Sequence, residues 1–201
     1  MSMFKIAVAC AAASTAGVAS GQVYFSDFEA DDGGFVGTGD WEHGIPIGAD
    51  GTVLGGFGGP EPTGGFSGDY VWGTVIGGLH NASTTSSLTL SVDATGFTGL
   101  SMDYLEWLDS GGNTFDTAEV FVNGDLQSLA DGGPTSGWRS VILDLSAYDN
   151  MMLDIEFRFT TTTVVERVGW YIDDVGIRGV PTPSALALLG LGGLVASRRR
   201  R

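Results

Sequence analysis

The 201-residue chain contains one cysteine, Cys10, one lysine, Lys5, and two histidines, His43 and His80. Each scarcity removes a class of function. A single thiol near the start leaves no disulfide framework and no CxxC pair for zinc or redox chemistry. There is no HExxH metal helix and no GxSxG nucleophile elbow. Cations are scarce as well: ahead of the last four positions only Lys5, Arg139, Arg158, Arg167 and Arg178 occur. All 24 acidic residues fall between positions 22 and 180 against four arginines, so this body carries a net charge of −20. Such a field repels phosphate backbones and anionic lipid, which argues against nucleic acid as a partner, and it attracts calcium.

The two ends are built differently from the middle. Residues 1–21 combine a brief basic start at Lys5, an apolar stretch over 6–18 and the small residues Ala19-Ser20-Gly21 before Gln22, the pattern of a secretory signal peptide. The other end reads VPTPSALALLGLGGLVASRRRR: Pro181, Thr182 and Pro183, an apolar run over 185–196, then Arg198, Arg199, Arg200 and Arg201. At 1.5 Å per residue that run reaches only ~18 Å, short of the roughly 20 residues that a stable transmembrane helix needs. The positive-inside tendency keeps the arginines cytoplasmic and the preceding body outside. The proline pair, short Gly/Leu/Ala helix and terminal arginines resemble the PEP-CTERM sorting signals of Gram-negative bacteria. The resemblance implies handling by exosortase-type membrane enzymes, transient insertion of the tail in the inner membrane, and delivery to the cell surface or extracellular matrix. Thr182 departs from the pattern, which most often has Glu there.

The body, 22–180, has the length of one domain. Over 33–78 it holds 17 glycines and three prolines with no helical period, which predicts loops on a few short strands. Beyond Leu79 the period becomes two. SLTLSV sets Leu88, Leu90 and Val92 against Ser and Thr, and LDIEFRFT sets Leu153, Ile155, Phe157 and Phe159 against polar residues. LSMDYLEW, AEVFVNG, WRSVILDLS and GWYIDDVGI read the same way, separated by Gly/Asp/Asn turns. Short strands at near-regular spacing without helices predict an all-β fold, a two-sheet antiparallel β-sandwich of the jelly-roll kind.

DFEADDGGF, GDWEHGIP, SGDYVWGTVIGG, VILDLSAY, LDIEFRFT and GWYIDDVGI, in that order, resemble the jelly-roll modules called cleaved-adhesin or choice-of-anchor J domains, relatives of the MAM fold. The resemblance spans most of the body and implies a surface-located module without naming a ligand.

Three chemistries are open to these residues. Asp27, Glu29, Asp31 and Asp32 cluster near the first strand and Asp173 and Asp174 lie on the last, while GGFSGDY could add backbone carbonyls beside Asp69. The jelly-roll resemblance implies a structural calcium held by Glu29 and by Asp173 or Asp174, with Asp69 close by as a further candidate ligand; the alternative is solvated acids that cap turns. It is not an EF-hand, because Asp32 stands where the turn glycine belongs and Thr38 where the bidentate Glu belongs. Among five tryptophans, Trp41 and Trp72 lie in the glycine-rich half and are the candidates for stacking on a sugar, with core packing as their alternative; Trp138 and Trp170 read as core or strand-edge packing. DSGG at 109–112 has a superficial likeness to a serine-protease nucleophile loop, but Leu108 and the contexts of His43 and His80 do not match. The sequence therefore points to an exported, non-catalytic binding or adhesion module, carbohydrate among its candidate ligands. A secreted glycoside-active enzyme and an acidic structural matrix protein are the alternatives.

Overall fold

The computed structural model describes residues 20–130 and 133–182. The signal-peptide residues 1–19, the apolar run over 185–196, and Pro183, Arg198, Arg199, Arg200 and Arg201 lie outside the described residues. Eleven strands are described: β1 (Gly21–Ser26), β2 (Val36–Gly37), β3 (Trp41–Gly44), β4 (Val71–Thr74), β5 (Thr85–Asp93), β6 (Phe97–Asp109), β7 (Thr117–Val122), β8 (Asp125–Leu129), β9 (Arg139–Asp144), β10 (Met152–Thr160) and β11 (Gly169–Pro181). The only helical turn among the described residues is a 3-10 turn over Ser146–Tyr148. No helix among them is long and apolar enough to cross a membrane.

The strands form two antiparallel sheets, as the period-two pattern predicts. One has the order β3-β4-β11-β6-β9, with β1 also paired to β11; the other has the order β2-β5-β10-β7-β8. The core lies between them. Leu88, Leu90 and Val92 of β5 and Leu153, Ile155, Phe157 and Phe159 of β10 meet Leu100, Met102, Tyr104 and Leu108 of β6, all buried. Phe157 sits at the centre, edge to face with Tyr104 at 5.1 Å and with Trp170 at 5.7 Å. One acid, Glu106, shares the inward phase of β6; it is held by the indole N–H of Trp170 at 2.8 Å and by Arg139 at 2.7 Å, so its charge is not left bare.

Strand β11 changes face midway. Trp170 and Ile172 point inward, then Val175 and Ile177 do, because the register against β6 slips between Asp173 and Gly176. Asp174, with φ of 48°, is the extra residue of this β-bulge. The slip leaves Asp173 and Asp174 adjacent and able to reach the same neighbouring loop.

The ends of the sandwich are tied into the sheet. Gly21 pairs with Gly179, Pro181 pairs with Phe97, and the N–H of Thr182 donates to the carbonyl of Gly96 at 2.7 Å. Strand pairing thus extends one residue beyond 22–180 at each end.

The glycine-rich segment supplies β2, β3 and β4 and otherwise runs as loops across the outer face of the six-stranded sheet. A second, smaller apolar cluster forms there around Val71, Val168 and Tyr171, with Ile76, Leu79, Trp107 and Trp138 packed against it.

Candidate functional site

A loop segment with so few strands needs other acceptors for its N–H groups, and acidic side chains provide them. Glu29 Oε1 accepts from the N–H of Asp69 at 2.9 Å and of Tyr70 at 2.7 Å. Asp173 Oδ2 accepts from Phe66 at 2.6 Å and Ser67 at 3.1 Å, while its Oδ1 accepts from the N–H of Asp174. Asp174 Oδ1 takes the hydroxyl of Ser67 at 2.5 Å. Buried Glu61 accepts from the N–H groups of Ile47, Ala49 and Gly77 and from the hydroxyl of Tyr171. Asp109 holds the N–H of Gly59 at 2.7 Å and Arg167 at 2.8 Å. Close approach is possible only because the loop residue is small: a Cβ on Gly68, at φ of 68°, would overlap the Glu29 carboxylate.

The calcium expectation meets this geometry directly. Glu29, Asp69, Asp173 and Asp174 do gather at one loop, 64–70, but the oxygens named for Glu29, Asp173 and Asp174 face N–H and O–H donors, and Asp69 enters through its main-chain N–H. Among the described residues no group of three or more His, Cys, Asp or Glu is placed to hold a metal ion. Calcium needs six to eight oxygens turned to one point, and this donor set, as arranged, does not fit; it fits a clamp on main-chain amides. Burial of Asp173 pushes its carboxyl up from 3.8 to about 6, against the lowering effect of the N–H groups of Ser67, Asp174 and Phe66.

The two tryptophans expected to meet a sugar are turned into the core. Trp41 and Trp72 are 5% and 6% exposed, members of the main core, with their indole N–H groups on the carbonyls of Ser86 and Asp32. Their strands, β3 and β4, belong to the six-stranded sheet and turn these rings inward. The accessible pair is Trp107 and Trp138. Trp107 stands on the outward phase of β6 with Ser101, Asp103 and Leu105, and Trp138 precedes β9. Their rings meet edge to face, centroids 6.1 Å apart at 72°. Together with Pro62, Thr63, Gly64 and Asp69 of the glycine-rich cover they line a groove of about 400 Å³. The signal for Trp107 was its phase, since Met102, Tyr104 and Leu108 alternate with it. Leu105 on the same phase as Trp107 hid the distinction.

The residues of the protease-like stretch are placed for structure. Asp109 and Ser110 are 2% and 3% exposed. His43 Nε2 lies 3.1 Å from the carbonyl of Phe28, and its ring stacks on Tyr70. His80 is buried 3.6 Å from Asp116. Each body arginine is matched to an acid: Arg139 to Glu106, Arg158 to Glu156, Arg167 to Asp109 and Arg178 to Asp103.

No family model matches the chain. Bacillopeptidase F of Bacillus subtilis (strain 168) is 30% identical over 161 residues, which is 76% of this chain but 10% of that relative. The chain therefore spans about a tenth of the curated relative it matches. Among solved structures, a cleaved adhesin domain of Lys-gingipain from Porphyromonas gingivalis aligns with a TM-score of 0.50 at 12% identity, over 79% of this chain and 99% of that one. The carbohydrate-binding module TmCBM61, in complex with β-1,4-galactotriose, aligns with a TM-score of 0.48 at 10% identity, over 71% of this chain and 86% of that one. At these identities the likeness is one of fold: the chain is a β-sandwich of the architecture seen in the cleaved adhesin domain.

Proposed function

We propose that this is an exported, non-catalytic β-sandwich module that binds carbohydrate on the outer face of its six-stranded sheet. The observation that carries the reading is the Trp107–Trp138 pair. Two half-buried indoles line one side of an open groove, with the exposed carboxylate of Asp69 and glycine-rich backbone on the other. Sugar rings have one apolar face and a rim of hydroxyls, so flat aromatic surface beside hydrogen-bond acceptors is the chemistry that recognises them.

Hydrolysis would need two carboxyl groups facing the sugar. Glu61 carries four hydrogen bonds already and Asp109 is held by Gly59 and Arg167, which leaves Asp69 as the available acid of the groove. Delivery outside the cell, through the leader and the arginine-terminated tail, belongs to the same proposal. The test is a glycan array with the full chain and with Trp107→Ala. Retention of one or more glycans by the native protein, lost in the variant, supports the reading. A blank array, or retention indifferent to Trp107, rejects it and favours a purely structural matrix role.

A further inference from the structure

Trp107 lines two depressions. Next to the groove with Trp138 is a second, of about 300 Å³, walled by Gly58, Gly59, Leu108, Asp109, Pro134 and Ser136. Pro60 and Trp107 belong to both, so the two are neighbours that share a wall. Each is near the lower end of the ~300–1,000 Å³ typical of small-ligand sites. Strand β6 contributes Trp107 to both and Leu108 and Asp109 to the second, and the 58–69 stretch of the cover supplies residues to each.

We infer that the site takes an uncharged oligosaccharide chain of at least two units laid across Trp107, and not a single sugar or a uronate or sulfated glycan. The inference rests on the carbohydrate reading above and adds length and charge to it. Length follows from the paired depressions on one shared indole. Charge follows from what surrounds them. The second depression is walled by Asp109, whose carboxylate is already held by Arg167 and by the N–H of Gly59. The first carries Asp69. The nearby cation Arg139 is engaged by Glu106, which leaves no unpaired arginine among the described residues to receive an anionic sugar. A body of net charge −20 adds a repulsive field to any polyanion.

Isothermal titration of the full chain with β-1,4-linked xylo-, cello- and galacto-oligosaccharides of one to four units, and with tetragalacturonate, separates the possibilities. The expected result is a rise in affinity of about tenfold or more from one unit to three for the sugar that binds, and no heat from tetragalacturonate. Equal affinity for one unit and for four overturns the length assignment while leaving carbohydrate binding in place. Binding of tetragalacturonate as tight as that of the neutral chain overturns the charge assignment. Silence toward every saccharide at every length removes the inference and the carbohydrate reading together.

Discussion

The hydroxyl of Tyr171 donates a 2.6 Å hydrogen bond to Oε2 of Glu61, joining the last strand of the six-stranded sheet to the glycine-rich cover across 110 positions of sequence. Burial, reinforced by the Glu61 charge, raises the Tyr171 phenol well above its ordinary range, so the proton stays on the tyrosine. Both residues are buried. Tyr171→Phe is expected to cost about 1.5–3 kcal/mol, the range for a hydrogen bond to a charged group. Glu61→Gln is expected to cost more, because an amide N–H₂ then faces donors from Ile47, Ala49 or Gly77. Urea unfolding of the two variants checks the order.

The tryptophans divide by role. Trp41→Ala and Trp72→Ala are expected to lose about 3–5 kcal/mol each, as large core truncations do. Trp107→Ala and Trp138→Ala are expected to lose no more than about 1–2 kcal/mol but to abolish glycan retention. Parallel denaturation and affinity electrophoresis on the four variants would reveal any exchange of roles.

Asp173 imposes a pH dependence of definite sign. Its folded-state carboxyl is raised from 3.8 to about 6, so between these values the folded chain binds more protons than the unfolded one. Its contribution is therefore most favourable below the unfolded value and is lost as pH rises through about 6. Relative to Asp173→Asn, the native protein is expected to lose stability from pH 4 to pH 7. A constant gap between the two unfolding curves over that range would show that Asp173 does not titrate there.

Calcium provides an independent check on the carboxylate clamps. With Glu29, Asp173 and Asp174 occupied by N–H and O–H donors, melting temperatures in calcium and in EDTA are expected to coincide. A rise of more than about 3 °C with calcium, the shift that ~1 kcal/mol produces in a domain of this size, would show that the carboxylates turn to a shared ion.

Much of the sandwich was legible. β5 and β10 could be drawn from SLTLSV and LDIEFRFT because one buried face and one wet face leave a period-two trace, and they pair along their full lengths from Met152–Asp93 to Thr160–Thr85. The site was less so. In GWYIDDVGI the slip between Asp173 and Gly176 shows only as a change of parity from Trp170 and Ile172 to Val175 and Ile177, and Tyr171, apolar on the second parity, masks it. Trp41 and Trp72 stand among glycines, which say that the chain turns there but not toward which side a ring points. The bonds from Glu29 to Asp69 and from Asp173 to Phe66 join positions 40 and 107 residues apart, and only the completed topology brings them together.

The clamps on the cover grip peptide N–H groups, which every residue except proline possesses. Side chains at positions such as Thr63, Phe66 and Asp69 take no part in that grip through their own chemistry, so exchanging them would leave the scaffold's fastening intact. A surface fixed by its main chain can be repainted: variants with different loop side chains should retain the same fold while selecting different sugars.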